Sequence, residues 1–503
     1  MFFVDEVLPG AGVDSLWRKS QESCCESKST QTAPVSVAES ALQVCCTTDI
    51  GTQTDQNKIQ GLDFQLGAAL HHPGLEKFLH GVEGLVIREL NKNWKSHAFE
   101  SFEVNWSEQN RTVSCVYRLH YPEALEQKLQ VTGVSWNSTG SVVGCSYGRF
   151  DSGDWSIEKS FVCTWNLDRR GLNPQYPDVV LDVPSSVMCL AFHPSQPSLL
   201  AGGLYSGEVL VWDTSKTDDS LISRTGMTSD SHMDAVYQVS WLSDLSRSHH
   251  FQILSVSTDG KILVWQLEGE GHLTLINGFA LIAQQIPRNT KVNKHSRGDA
   301  ALGVTSLSTS KFDPSLFIIG MEGGHVLKCS ASVEKTALSK DPCSVLLKAP
   351  AQFTYFPHGG PVHCVDCSPF HRNLFLSAGT DGQIHLYSML QAKPLLLLQL
   401  SHKYLFSVCW SPVRPLLFAA ASGEGEVLLF DLGKSSQQPA VAIQQNPEQK
   451  PVYCLEFNKK QTHLLAAGDA SGMVKIWQLS SEFTEEGPRE MRHLEQLANE
   501  VTD

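Results

Sequence analysis

The sequence predicts an all-β protein, a seven-bladed β-propeller preceded by a disordered tail and an amphipathic helix. Three observations predict it. A glycine is followed five residues later by an aromatic or its substitute six times, at Gly207 to Trp212, Gly260 to Trp265, Gly324 to Cys329, Gly382 to Tyr387, Gly425 to Phe430 and Gly472 to Trp477. Each interval alternates, as in Asp381-Gly382-Gln383-Ile384-His385-Leu386-Tyr387, so the glycine supplies the positive φ of a hairpin turn and a strand follows it. The glycines recur at steps of 43 (Gly382 to Gly425) to 64 residues (Gly260 to Gly324), the signature of stacked repeats.

Residues 1–65 are rich in Ser, Thr, Gln, Glu and Cys and carry few large apolar side chains. They bury too little apolar surface to offset chain ordering and read as a disordered tail. Between 66 and 110, Leu75, Leu79, Val82, Val86 and Leu90 recur at three- and four-residue steps, with Phe78, Leu85 and Trp94 beside them and Pro73 where a helix can start. This stripe packs either on its own domain or on a partner. From 111 to 480 the repeats take over. Before each turn glycine lies a strand ending in small residues, such as Leu374-Phe375-Leu376-Ser377-Ala378-Gly379. Before that comes a strand ending in an aromatic or turn residue, such as Val236-Tyr237-Gln238-Val239-Ser240-Trp241. An atypical first copy, Val131–Trp136 to Cys163–Asn166, lacks the turn glycine and brings the count to seven; the fourth, with Lys328-Cys329, departs most. An unpaired sheet edge invites aggregation, so the ring must close. The alternating Thr112–Leu119 is placed to give the last blade its outer strand. Residues 481–503 form an acidic C-terminal tail.

Charge and composition narrow the function. The 39 basic against 53 acidic residues give a net charge of −14, which argues against gripping nucleic acid or anionic membrane as a main task. The amino terminus has no basic and apolar signal pattern, and Pro394–Leu400 and Pro415–Ala421 are far short of the roughly 20 residues of a membrane helix. A cytosolic or nuclear setting is expected, with the 14 cysteines as reduced thiols and without membrane insertion. Catalytic signatures do not emerge. Cys364-Val365-Asp366-Cys367 has metal-ligand spacing but no second pair, and in a strand its thiols face opposite ways. His71-His72 and His249-His250 sit in polar contexts, and phosphate loop, nucleophile elbow and His-Glu-x-x-His are absent. No cofactor and no metal are expected.

The repeats resemble the WD-repeat family. The dipeptide survives at Trp212-Asp213 and weakens to Trp265-Gln266, Trp477-Gln478 and Phe430-Asp431. The resemblance assigns a blade-stabilising tetrad to His232, Ser255, Asp259 and Trp265 in the third copy; the fifth keeps His358, Ser377 and Asp381 with Tyr387 in place of Trp. In the tail, Lys28-Ser29-Thr30-Gln31-Thr32 resembles the Lys-x-Thr-Gln-Thr motif bound by the dimeric hub light chain of dynein. Gly51-Thr52-Gln53-Thr54-Asp55 repeats its core 22 residues on. Such a peptide adds a strand to the light chain's edge, and two motifs add avidity.

Tail, twin motifs, helix and ring together resemble the dynein intermediate chains, nearest to their dynein 2 branch, which serves retrograde intraflagellar transport. The resemblance implies a non-catalytic subunit whose ring docks on the dynein heavy chain. It implies a tail that light chains pair with a second intermediate chain, and a helix from Leu75 to Leu90 that takes a roadblock-type light chain. The implied locations are cytoplasm, cytoskeleton, cilium axoneme and basal body or centrosome. The alternative is a WD-repeat scaffold of another complex, such as a ubiquitin ligase substrate receptor. Those receptors carry Trp-Asp-x-Arg, whereas Trp212-Asp213-Thr214-Ser215 and Trp477-Gln478-Leu479-Ser480 have no Arg.

Overall fold

The computed structural model describes residues 73–95 and 112–500, apart from 151–158, 217, 244–250, 268, 270, 288–297, 299, 339–342, 401–402 and 436. The chain divides into two units, residues 1–106 and 107–503. In the first, α1 (Pro73–Lys95) begins on the proline, whose missing N–H costs nothing at that position. The tail and its two Thr-Gln-Thr motifs lie outside the described residues.

Among the described residues the second unit contains twenty-eight strands in antiparallel groups of four. The first four groups in chain order begin with Gln130–Trp136, Val187–Phe192, Val236–Ser243 and Val304–Thr309. The next three begin with Val362–Cys367, Leu405–Trp410 and Val452–Phe457. The divergent fourth repeat forms a full sheet from Val304–Thr309, Leu316–Met321, Val326–Ser330 and Ala351–Thr354. Groups two and three join through a short parallel pairing, Gly271 with Ser223 and His272 with Arg224.

Each group's first strand packs against the first strand of the next, and the seventh returns to the first. Closure uses the segment its alternation marked. Val113–Leu119 pairs antiparallel with Val474–Leu479, so the amino-terminal strand supplies the outer edge of the seventh blade. Between it and blade 1, α2 (Pro122–Glu126) makes a single turn.

Among the described residues the core is not one mass but seven apolar clusters, one in each space between neighbouring blades. Blades 1 and 2 meet through Leu181, Val183, Phe192, Leu200 and Trp212; blades 7 and 1 meet through Leu464, Ile476, Val131 and Trp165. Side chains on both faces of a middle strand are therefore buried, which explains why Leu417–Ser422 reads as a continuous apolar run.

A polar seam runs beside these clusters and links successive inner strands. Ser135 Oγ accepts from Phe192 N at 3.0 Å, Ser308 Oγ from Cys367 N at 3.0 Å, and Asp366 Oδ2 from Trp410 N at 2.8 Å. Glu456 Oε2 accepts from Trp136 N at 2.9 Å, while Trp136 Nε1 donates to Glu456 O at 3.0 Å. The bonds that close blade 7 on blade 1 thus repeat the pattern joining blade 5 to blade 6, where Trp410 Nε1 donates to Asp366 O at 3.2 Å.

All six turn glycines have φ between 70° and 87°. Gly207 shows why no other residue suits: a Cβ there would stand 2.2 Å from His232 O. Two short helices follow the last strand among the described residues. α3 (Ser481–Thr484) and α4 (Glu490–Ala498) follow the ring, and α4 buries Leu494 and Ala498 among residues of blades 5 and 6.

Candidate interaction sites and the framework that carries them

α1 makes an amphipathic rod of 23 residues, about 35 Å long at 1.5 Å per residue. Leu79, Val86 and Leu90 are exposed, as are Phe78, Leu85 and Ile87; Val82 is half-buried, and Leu75 stands in the first turn. His80 Nδ1 lies 3.2 Å from Glu83 Oε2, and Glu89 pairs with Arg88 and Lys92. Gly81 and Gly84 sit mid-helix with open space around the position of a Cβ. Each costs the helix roughly 1 kcal/mol relative to alanine. A stripe this apolar, on a helix this weakened, gains most of its stability from a surface that covers it.

Within the ring, His232, Asp259, Ser255 and Trp265 of the third repeat form one chain of polar contacts. His232 Nδ1 lies 3.2 Å from both carboxylate oxygens of Asp259, and His232 Nε2 lies 2.8 Å from Ser255 Oγ. Trp265 Nε1 donates to the same Ser255 Oγ at 2.8 Å. Burial opposes the ionised Asp259, but His232 and the amides of Lys261 and Met233 outweigh it and lower its pKa. The chain of bonds ties the loop before blade 3 to its second and third strands, all in a buried setting.

Trp212 is buried between blades 1 and 2, and Asp213 closes the following turn by accepting from Ser215 N at 3.0 Å and Ser215 Oγ at 2.6 Å. Trp477 is buried in blade 7, where the sequence offered no tetrad. Gln445, which sequence reasoning missed, takes the serine's part: its Oε1 accepts from Trp477 Nε1 at 2.8 Å. Lys475 lies over the Trp477 ring at 5.6 Å and donates to Gln445 O.

Blade 5 solves the missing tryptophan differently. His358 reaches Asp381 at 3.0 Å and Ser377 Oγ at 2.6 Å, while Tyr387 Oη donates to Phe356 O at 2.5 Å. His385 stacks on His358 with ring centroids 3.8 Å apart and holds Tyr387 Oη at 2.8 Å and Gln383 Oε1 at 2.9 Å. Burial and the neighbouring His358 push the His385 pKa down to about 3. For Asp381 burial works against the charge, but His358 and the Gly359 and Gln383 amides prevail and hold it at about 2.

His358, Asp381 and His385 are close enough to hold a metal ion, but every ring nitrogen already has a protein partner. The cluster therefore reads as framework. In Cys364-Val365-Asp366-Cys367 the thiols point apart: Cys364 Sγ turns to Val408 O of blade 6 at 3.3 Å, and Cys367 Sγ to Ser308 O of blade 4 at 3.6 Å.

Arg414 is the other residue the sequence did not single out. Buried at the foot of blade 6, it donates through Nε to Glu490 Oε1 at 2.9 Å and through Nη1 to Glu482 O at 2.6 Å. Its Nη2 lies 3.0 Å from Asp431 Oδ2. This fixes α3 and α4 against the ring.

Comparison with known proteins adds the context. A family model described as the dynein axonemal intermediate chain 3 WD40 domain matches residues 98–269 and 284–479. The cytoplasmic dynein 2 intermediate chain 2 of Mus musculus is 61% identical over 498 residues, 99% of this chain and 93% of that one. Its Homo sapiens counterpart is 60% identical over 497 residues, 99% of this chain and 92% of that one. The dynein axonemal intermediate chain 2 of Mus musculus is 27% identical over 364 residues, 71% of this chain and 52% of that one.

Proposed function

The chain belongs to the WD40 dynein intermediate chain family, and from that premise we propose that it is a non-catalytic intermediate chain of a dynein 2 motor, acting in retrograde intraflagellar transport and cilium assembly. One observation carries the reading most. Similarity to the dynein 2 chains spans 99% of the sequence, whereas similarity to the axonemal chain stops at 71%. What distinguishes this chain within its family therefore includes residues beyond the ring, where the tail motifs and α1 lie.

On this reading the labour is divided along the chain. The ring docks on the tail of the dynein heavy chain. Lys28–Thr32 and Gly51–Asp55 each add a strand to a groove of the dimeric hub light chain, the glutamine and threonines giving specificity and the backbone giving affinity. Two rungs on one tail make the second binding event intramolecular, and the dimer's second groove takes a second intermediate chain. The apolar stripe of α1 is covered by a roadblock-type light chain dimer, consistent with its exposed Leu79, Val86 and Leu90. The complex works on the cytoskeleton, from the basal body or centrosome along the cilium axoneme.

Calorimetry of the full chain with the hub light chain tests the tail assignment. The expected result is micromolar or tighter binding at two sites, with Gln31→Ala and Gln53→Ala each removing one. Absence of binding, or binding indifferent to both substitutions, overturns it.

A further inference from the structure

The blades do not protect their outer edges equally. The outer strand of blade 2, Leu221–Arg224, pairs with that of blade 3. Blade 3's outer strand is in turn covered by the insertion after Ser330: Lys348 N donates to Gly278 O at 3.0 Å, and Ala280 N to Lys348 O at 2.9 Å. The outer strand of blade 1, Val179–Val183, pairs only with Ser160–Asn166 among the described residues. Among them the outer strands of blades 4 to 7 are likewise paired on one side, and blade 1 is set apart by the groove beside its edge. The other edge of Val179–Val183 carries backbone donors and acceptors with no strand beside them, the template for an added strand.

That edge opens into a groove of about 530 Å³ lined from both faces of the sheet. Phe161, which pairs in register with Asp182, packs toward blade 7; Leu181 packs toward blade 2. On the Phe161 side stand Tyr121, in edge contact with Phe161 at 5.2 Å, and Glu123, which accepts from Tyr121 Oη at 2.7 Å. On the other side Leu221 and Trp212 give an apolar wall beneath Asp218 and Asp219. Val180 and Asp182 are exposed on the strand itself. Four carboxylates (Glu123, Asp182, Asp218 and Asp219) thus face the groove against one lysine, Lys159.

We propose that the outer edge of blade 1 is a docking site for an extended, basic segment of a partner polypeptide, which adds a fifth strand beside Val179–Val183. Side chains of an added strand alternate between the two faces. Successive residues of the ligand therefore meet the Glu123 and Asp182 wall and the Asp218 and Asp219 wall in turn, so lysines or arginines on both faces find carboxylates. Main-chain bonds to the edge give affinity, while the charge pattern selects basic partners and repels acidic ones. The site goes beyond the heavy-chain and light-chain contacts proposed above and depends on neither.

The probe is a fluorescein-labelled heptapeptide with lysines on both faces of a strand, Lys-Lys-Val-Lys-Lys-Val-Lys, titrated into the full chain and followed by anisotropy. Its counterpart has Glu for every Lys. The lysine peptide is expected to bind, the glutamate peptide not, and binding to weaken at least tenfold when Glu123→Gln, Asp182→Asn, Asp218→Asn and Asp219→Asn are combined. Val180→Lys, at an exposed position, puts a repelling charge into the groove without touching the core and should weaken binding likewise if the fourfold variant is poorly folded. Hydrogen exchange by mass spectrometry should show protection across Val179–Val183. No binding by the lysine peptide, equal binding by the glutamate peptide, indifference to these substitutions, or protection of a different edge overturns the proposal.

Discussion

Ser255→Ala should cost more than the loss of one small hydroxyl suggests. The Ser255 hydroxyl is shared by two buried nitrogens, His232 Nε2 and Trp265 Nε1, each 2.8 Å away, and Trp265 Nε1 donates to it. Alanine leaves both without a partner where water cannot reach. At about 1–3 kcal/mol for each unsatisfied buried group, the expected destabilisation is about 2–6 kcal/mol. Trp265→Phe loses one bond and some packing but leaves Ser255 on His232, for about 2–3 kcal/mol. The double substitution then holds one orphan rather than two, because the indole N–H has gone with its partner. Its cost should fall short of the sum by about 1–2 kcal/mol. Urea unfolding of the four proteins, followed by intrinsic fluorescence and circular dichroism together, measures the cycle. Strict additivity, or a Ser255→Ala cost below about 1 kcal/mol, would refute the shared-hydroxyl account.

Gly207→Ala, at φ 87° with His232 O in the way, should cost about 2–4 kcal/mol; Gly226→Ala, at φ 67° with no neighbour nearer than 3.9 Å, should cost about 1. Thermal unfolding of the pair separates backbone strain from collision. Arg414→Ala leaves Asp431 and Glu490 facing each other without their cation, so a loss of about 3–5 kcal/mol and protease cleavage after about residue 480 are expected. Uncut protein would contradict that role for Arg414. Burial raises the Asp366 carboxyl to about 6 despite the bond from Trp410 N. A raised carboxyl pKa means the folded state holds the proton more tightly, so this stability is full below about pH 4 and is lost as pH rises through 6. Asp366→Asn should therefore flatten that part of the stability-pH curve, and an unchanged slope between pH 4 and 7 would show Asp366 is not its source.

The ring was legible because its local rules repeat. Glycine is favoured at tight turns of positive φ, and Gly207, Gly260, Gly324, Gly382, Gly425 and Gly472 all stand at such turns. Strand alternation marked Val113–Leu119 although its partner lies over 350 residues away, because only a closed ring leaves that pattern a use. The tetrad of blade 3 was assigned by the resemblance to WD repeats. Its equivalent in blade 7 was not, since Gln445 precedes the inner strand at a place where the familiar pattern has no glutamine. The seam escaped for a related reason: Ser135, Ser308, Asp366 and Glu456 share a place before the strand's last residue, but their side chains have only acceptor chemistry in common. Long-range contacts such as Arg414 with Glu490 leave no local signature. The acidic look of 481–503 likewise gave no hint that Leu494 and Ala498 are buried. The Thr-Gln-Thr motifs remain a reading of sequence, lying outside the described residues.

The central claim is that ring and tail serve different partners, the ring the heavy chain and residues before it the light chains. Co-purification of the full chain, and of a chain lacking residues 1–110, with a dynein 2 heavy chain tail and both light chain types tests it directly. The account predicts that the shortened chain keeps the heavy chain and loses both light chains. Loss of the heavy chain from a shortened but folded ring would contradict it.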